Sequence, residues 1–288
     1  MQSTENITTL IRERFSCRTY LEEPISEEKR QKLQEFIGTL PAGPFHGKPD
    51  FQLVAAESKD SQALKDLGTY GFIQGATGFI IGTIQPGKNN LEDYGYQMEQ
   101  IILFATSLQL GTCWLGGSFT RSSFARKINA PDDVVIPAVT SIGEMIDPQQ
   151  ARKGLLRRQI KADQRLPWEN LFFEDHFGKP LSQEAAGEWK IPLEMLRLGP
   201  SASNKQPWRV VRSGSLWHLF LQRNKGYRES SLTRFIGIVD IQRLDMGIAM
   251  CHFELTAHEL GLPGQWVIQE PSIARQDEQT EYTVSWVE

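Results

Sequence analysis

The sequence has only three cysteines among 288 residues, Cys17, Cys113 and Cys251. They are few, odd in number and not spaced as metal ligands, which excludes a disulfide framework and favours buried thiols in a reducing compartment. His252 and His258 do not form a pair of metal ligands either, because they are six residues apart and do not share a helix face. We therefore expect no metal site.

The chain also lacks an excess of positive charge and any long hydrophobic run. Its net charge is −4 and its pI about 5.8, which argues against nucleic acid or an anionic membrane as partner. The basic cluster Arg152–Arg158 is best interpreted as a solvated helix face. The most apolar short run, Gly78–Ile84, is too short to span a bilayer, and no signal peptide is evident. We expect a cytoplasmic protein with no membrane partner.

The first motif is the Arg-Ser-Arg segment, Arg14–Arg18, which reads Arg-Phe-Ser-Cys-Arg. In an extended stretch alternate residues share a face, so Arg14, Ser16 and Arg18 could converge on one phosphate. The alternative, surface arginines that end the first helix, stays open on this motif alone.

The second motif is the Pro-Ser loop, Pro200–Trp208, which reads Pro-Ser-Ala-Ser-Asn-Lys-Gln-Pro-Trp. Prolines stiffen both ends, and the residues between them are rich in short hydrogen-bonding side chains that could bind the polar edge of a ring. A capped turn that leads into a strand is the competing interpretation. It explains some of the polar residues but not their density.

The chain between and around these motifs contains an internal repeat, in which each half is a similar copy of the other. Adding 152 to residue numbers between 93 and 114 gives a similar residue without a gap, in a helix followed by a turn and a strand that contains a tryptophan. The matched pairs include Asp93 with Asp245, Gly95 with Gly247, Met98 with Met250, and Trp114 with Trp266. The first copy of the loop, Pro41–Pro49, lacks the serines and asparagine, and the second half lacks the Arg-Ser-Arg segment. Each half therefore keeps one motif.

Strands and helices alternate along both copies, and hairpin-like pieces favour an α+β sheet. The strands are predicted at 50–54, 78–84, 134–143, 207–211, 216–222, 235–239 and 282–287. Ser26 and Ser182 each stand at a plausible N-cap of a following helix. The boundary between halves is expected near 160–177, which gives domains 1–165 and 166–288.

These motifs, together with the helix that leads to Leu-x-Leu-Gly-Thr-Cys-Trp at 108–114, resemble the FMN-dependent nitroreductase family. Members are homodimers with a mainly antiparallel sheet flanked by helices in each subunit. Each FMN takes its phosphate ligands from one subunit and its Pro-Ser loop from the other. The chain is similar to the branch in which two such subunits are fused (the putative TM nitroreductase type), which implies an intrachain pseudo-dimer with one composite FMN site.

The resemblance also assigns roles to residues. It implies that Lys161 and Arg165 join the arginines and serine of the Arg-Ser-Arg segment at the phosphate. It implies that Leu115, Gly116 and Gly117, named here the Gly turn, approach flavin N5, where glycine permits close backbone contact. Four loop residues would cover the isoalloxazine edge, and a fifth, Lys205, or a loop N–H would stabilise negative charge on the ring. The four are Pro200, Ser201, Ser203 and Asn204, with Gln206 supporting the loop.

Three features depart from the family pattern. Only Tyr70, Gly71 and Gln74 are available for the polar contact to the flavin pyrimidine, Lys161 is not at the usual spacing from Arg165, and Gln85–Leu91 is short where relatives insert a covering helix.

The resemblance implies hydride transfer from NADH or NADPH through FMN to an electron-poor acceptor such as a nitroaromatic or a quinone. Catalysis would depend on Gly116, Gly117 and Lys205. A flavin-binding protein for sensing or storage with little turnover is the alternative, and a cofactor-free α+β domain is a third. A fused pair needs no second chain to complete its site, which favours a monomer, although a homodimer stays open.

Overall fold

The structure is a computed structural model that describes residues 6–57, 64, 67–147, 164–224 and 239–288. The chain forms two compact units, Met1–Ala162 and Asp163–Glu288. The predicted strand at 235–239 lies outside the described residues except for Val239, and the basic cluster and Lys161 lie outside them entirely.

The first unit combines helices with one four-stranded sheet. Its helices are α1 (Ile7–Glu13), α2 (Glu27–Gly38), α3 (Asn90–Ser107) and α4 (Arg121–Lys127). Its strands are β1 (Asp50–Ala55), β2 (Gly78–Thr83), β3 (Leu110–Leu115) and β4 (Val139–Glu144). The sheet order is β1-β2-β4-β3 and all neighbours are antiparallel. Ser26 caps α2 as predicted, since its Oγ accepts the Lys29 N–H.

The strand predicted at 134–143 begins five residues late, at Val139. Pro137 stands inside the predicted range and has no N–H to donate to a neighbouring strand. Upstream of it only Val135 pairs, in an isolated bridge with Ile84.

The second unit contains a five-stranded sheet. Its helices are α5 (Lys190–Leu198) and α6 (Ile241–Glu259), and its strands are β5 (Phe172–Glu174), β6 (Trp208–Ser213), β7 (Leu216–Gln222), β8 (Gln265–Val267) and β9 (Thr280–Val287). The sheet order is β5-β6-β7-β9-β8, and only the β5–β6 pair is parallel. Without β5, this order repeats that of the first sheet. The predicted hairpin at Ser213-Gly214-Ser215 is present, with Gly214 in the left-handed region at φ 62°.

The helix predicted to follow Ser182 forms later than expected. Ser182 Oγ accepts the Ala185 N–H, but the chain then makes only turns and a 3₁₀ segment at Gly187–Trp189 before α5 begins at Lys190. Gly187 has φ 58°, a left-handed conformation that interrupts an α-helix.

The repeated helices α3 and α6 occupy equivalent places in the two units. Each ends in a left-handed residue, Gln109 at φ 59° and Gly261 at φ 71°, which are 152 residues apart like the other repeat pairs. Each then leads into the strand that carries the repeated tryptophan. The predicted α+β fold, with a mainly antiparallel sheet flanked by helices in each half, is confirmed.

Candidate functional site

The Arg-Ser-Arg segment runs extended beside β3. Ser16 forms a parallel bridge with Thr112, and the Cys17 N–H donates to the Thr112 carbonyl at 2.8 Å. Phe15 and Cys17 are buried, whereas the two arginines and the serine are partly exposed. The alternation expected of an extended stretch is therefore present, because residues 14, 16 and 18 keep some exposure, although the Arg14 guanidinium itself is largely buried.

Arg14 belongs to a buried polar chain that also reaches β3. Its Nε lies 3.6 Å from Oε1 of Glu99 on α3, and the two side chains are 6% and 0% exposed. The other Glu99 oxygen accepts the indole N–H of Trp114 at 2.7 Å. Glu99 thus connects the arginine to the residue that precedes the Gly turn. Sequence reasoning missed this glutamate, because 85 residues separate it from Arg14.

The Gly turn follows β3 directly and has space on one side. A Cβ built on Gly117 would meet nothing within 4 Å, so the turn presents bare backbone to solvent. Arg121, at the start of α4, donates from Nη2 to the Gly116 carbonyl at 3.1 Å and so fixes the turn from behind. Burial lowers the pKa of Arg121. Because β3 passes the Arg-Ser-Arg segment before it enters the Gly turn, the first unit brings these two predicted subsites together.

The residues available for a pyrimidine contact lie beside the same segment. The Gln74 N–H donates to the Arg18 carbonyl at 2.9 Å, while the Gln74 side chain is exposed. Tyr70 is 67% exposed and left-handed at φ 48°, and its hydroxyl lies 3.5 Å from Oγ1 of Thr120. The Gln74 side chain therefore lies at the surface beside the Arg-Ser-Arg segment. The Tyr70 side chain lies at the surface beside Thr120, which follows the Gly turn.

The Pro-Ser loop has an unusual backbone. Ser203, Asn204 and Gln206 all have positive φ, at 49°, 55° and 50°. Left-handed residues other than glycine are uncommon, and a run of them persists only where surrounding contacts enforce it. Gln206 supplies several of these contacts, as predicted for a supporting residue. It is buried, its Oε1 accepts the Leu166 N–H at 2.8 Å, and its own N–H donates to Ser201 Oγ at 2.8 Å.

Arg165 lies in the second unit, against the Pro-Ser loop. Its guanidinium donates to the Leu198 carbonyl at 2.9 Å and to Asn204 Oδ1 at 3.4 Å, and the Asn204 amide donates to the Gln164 carbonyl at 2.9 Å. Arg165 is predicted as a phosphate ligand, and its described contacts brace the Pro-Ser loop. Lys205 is exposed at the tip of the loop, and Trp208 is fully buried at its end.

One buried carboxylate in each repeat holds the loop that packs on it. Asp245 on α6 accepts the Ala202 N–H, with both oxygens within 3.1 and 3.2 Å. Its repeat partner Asp93 on α3 accepts the Phe45 and Gly47 N–H groups at 2.9 and 2.6 Å. Burial raises the pKa of both acids, to about 6 for Asp93, and the backbone donors oppose that rise. The sequence displayed these aspartates as a repeat but not their function.

Comparison with known proteins identifies the family. The family model described as "Putative TM nitroreductase" matches residues 6–257. The chain belongs to this family. Membership places the protein among the oxidoreductases and confirms the resemblance inferred from the motifs.

The chain is also similar to several solved structures. A "putative nitroreductase" from Thermotoga maritima MSB8 shares 22% identity over 100% of this chain and 95% of its own, with a TM-score of 0.61, which shows a common fold. An "oxidoreductase containing FMN" shares 17% identity over 62% of this chain and 96% of its own, with a TM-score of 0.49. A "putative nitroreductase in complex with FMN" from Desulfovibrio desulfuricans shares 24% identity over 50% of this chain and 90% of its own, at a TM-score of 0.39. No curated protein matches the sequence.

The described residues contain neither a membrane-spanning helix nor a cluster of metal ligands. No helix in that part of the nitroreductase-family chain is long and apolar enough to cross a membrane. Nor do three or more histidine, cysteine or carboxylate side chains gather there in a way that could hold a metal ion.

Proposed function

We propose that the protein is an FMN-dependent oxidoreductase that passes hydride from NADH or NADPH to an electron-poor acceptor, a nitroaromatic or a quinone. The observation that carries the proposal is the division of the two motifs. The first unit has the Arg-Ser-Arg segment beside β3 and the Gly turn at the end of β3, and the second has the Pro-Ser loop. Family membership supports the assignment of both to one flavin.

The residues fit the chemistry of FMN. Arg14, Ser16 and Arg18 offer two guanidinium groups and a hydroxyl, the donors that phosphate prefers. The open space beside Gly117 would admit a flat ring against the backbone of the Gly turn. In this proposal Lys161 and Arg165 extend the phosphate site, and Pro200, Ser201, Ser203 and Asn204 cover the ring edge. The halves that contribute these residues are 1–165 and 166–288.

FMN, when bound, supplies the hydride chemistry, so the protein needs little acid–base catalysis of its own. The N–H groups of Gly116 and Gly117 would hold the ring at N5, and Leu115 would support the turn from the core. Lys205 would place a positive charge where the ring becomes electron-rich. The strained but well-bonded Pro-Ser loop would offer its donors without reorganisation on binding.

The test is the absorption spectrum of the purified protein with its ratio of FMN to chain. We expect a single FMN per chain, and NAD(P)H oxidation that depends on an added nitroaromatic or quinone. Protein that stays colourless after reconstitution with FMN would contradict the proposal. Tight flavin binding without turnover would instead favour the storage or sensing function. A variant with both Arg14 and Arg18 replaced by glutamine should bind FMN far more weakly than the native protein.

A further inference from the structure

We propose that Asp245 is a positioning residue that sets the conformation of the Pro-Ser loop and, through it, the affinity of the site for the flavin ring. This inference rests on the proposed function, since it assumes that the loop covers a flavin. The part that concerns the loop itself can be tested without flavin.

The first step of the argument is the location of the carboxylate. Asp245 is 2% exposed and accepts the N–H of Ala202, which lies between Ser201 and Ser203. Both of those serines belong to the set proposed to meet the ring. A buried acceptor at this point fixes the backbone from which they project, without touching the ligand.

The second step is the strain in the loop. Left-handed conformations at Ser203, Asn204 and Gln206 cost energy, and the loop keeps them because its contacts enforce them. The hydrogen bond from the Ala202 N–H to Asp245 holds the backbone just before Ser203, the first of these residues. Without it, the loop loses a buried hydrogen-bond restraint and can relax toward ordinary backbone angles.

The third step is the comparison with the first repeat. Asp93 anchors Pro41–Pro49 in the same way, but that loop has a different shape. It closes tightly around the carboxylate, so that a Cβ on Gly43 or Gly47 would lie only 2.4 Å from an Asp93 oxygen. The repeat thus keeps the anchor in both copies and the polar loop residues in only one. Asp93 is therefore a natural control for Asp245.

The experiment compares D245A, D245N and D93A in the full-length protein. Limited trypsin digestion, with fragments mapped by mass spectrometry, measures cleavage after the exposed Lys205 in flavin-free protein. FMN and riboflavin titrations measure affinity. The asparagine variant retains an acceptor oxygen for the Ala202 N–H, which keeps the test informative if the alanine variant folds poorly.

We expect D245A to be cleaved faster after Lys205 and to lose about ten- to hundred-fold in affinity, the range expected when a buried backbone donor is left without its acceptor. FMN and riboflavin should be affected equally, because the loop is proposed to act on the ring and not on the phosphate. D245N should lie close to the native protein. D93A should leave both Lys205 cleavage and flavin affinity within about two-fold of native, although it removes two backbone hydrogen bonds.

Native-like cleavage and affinity in D245A would overturn the inference, as would equal losses in D93A and D245A. Failure of the native protein to bind FMN would overturn the proposed function and the flavin part of this inference together. The rate of cleavage after Lys205 would then still decide whether Asp245 holds the loop.

Discussion

The titration of Asp93 gives a quantitative test of the anchoring carboxylates. Burial raises its pKa to about 6, against the opposing effect of the Phe45 and Gly47 N–H donors. An aspartate in the unfolded chain has a pKa of about 3.9. The folded protein therefore retains a proton on Asp93 over a pH window in which the unfolded chain has lost it. The stability that this proton contributes is present below the window and is lost as the pH rises through it.

The size of the effect follows from the shift. Two pKa units correspond to at most about 3 kcal/mol of unfolding free energy, at about 1.36 kcal/mol per unit. Only about 1 kcal/mol of this falls between pH ~5 and pH ~8, because the rest is lost at more acidic pH. The substitution Asp93→Asn removes the titration but keeps an acceptor oxygen. We expect D93N to gain about 1 kcal/mol relative to the native protein as the pH rises across that interval.

Urea unfolding at several pH values measures the difference directly. Asp50→Asn, which removes an exposed carboxylate, controls for the change in net charge. If the stability curves of D93N and the native protein run parallel from pH ~5 to pH ~8, the reasoning about Asp93 is wrong.

Three further predictions concern other residues of the candidate site and of the two repeats. Arg14→Gln should weaken FMN binding far more than riboflavin binding, since only FMN carries the phosphate, and paired titrations measure the ratio. Gly117→Ala should change the free energy of unfolding by less than about 1 kcal/mol but weaken flavin binding. Gly111→Ala should lower the free energy of unfolding by about 1–3 kcal/mol through overpacking, because its Cβ would lie 2.7 Å from a neighbouring side chain. Glu99→Gln should lower the unfolding free energy by about 3 kcal/mol because it removes the negative charge that faces the buried Arg14 guanidinium. Glu254→Gln, which weakens the 2.7 Å bond from Trp266, should lower it by about 1 kcal/mol. Urea unfolding compares both pairs, and equal losses in the two glutamate variants would contradict the charge argument.

Local rules predicted most of the elements. The repeated helical pattern predicted α3 and α6, and the strand predicted at 216–222 coincides with β7. The errors came from single residues that interrupt a pattern. Pro137 removed a donor and delayed β4, and Gly187 adopted a left-handed angle and delayed α5. Periodicity averages over several residues and is insensitive to one such residue.

The candidate site was predictable where neighbours in sequence share chemistry. The Arg-Ser-Arg segment and the Pro-Ser loop each lie within a few residues, so their side-chain types alone suggested a phosphate and a ring edge. Supporting residues came from far away along the chain. Glu99 reaches Arg14 from α3, and Asp245 reaches Ala202 from α6, because helix packing brought them together.

The sequence by itself therefore determined the family, the α+β class, the repeat and the two motifs, since each depends on residues that are close in sequence or separated by a constant spacing. Only the tertiary structure decided which buried charges hold those motifs in place. It assigned Arg165 contacts with the Pro-Ser loop and gave the repeated aspartates a common function as anchors. The reason is physical: a buried carboxylate must find its donors wherever the fold places them, and no local pattern records that choice.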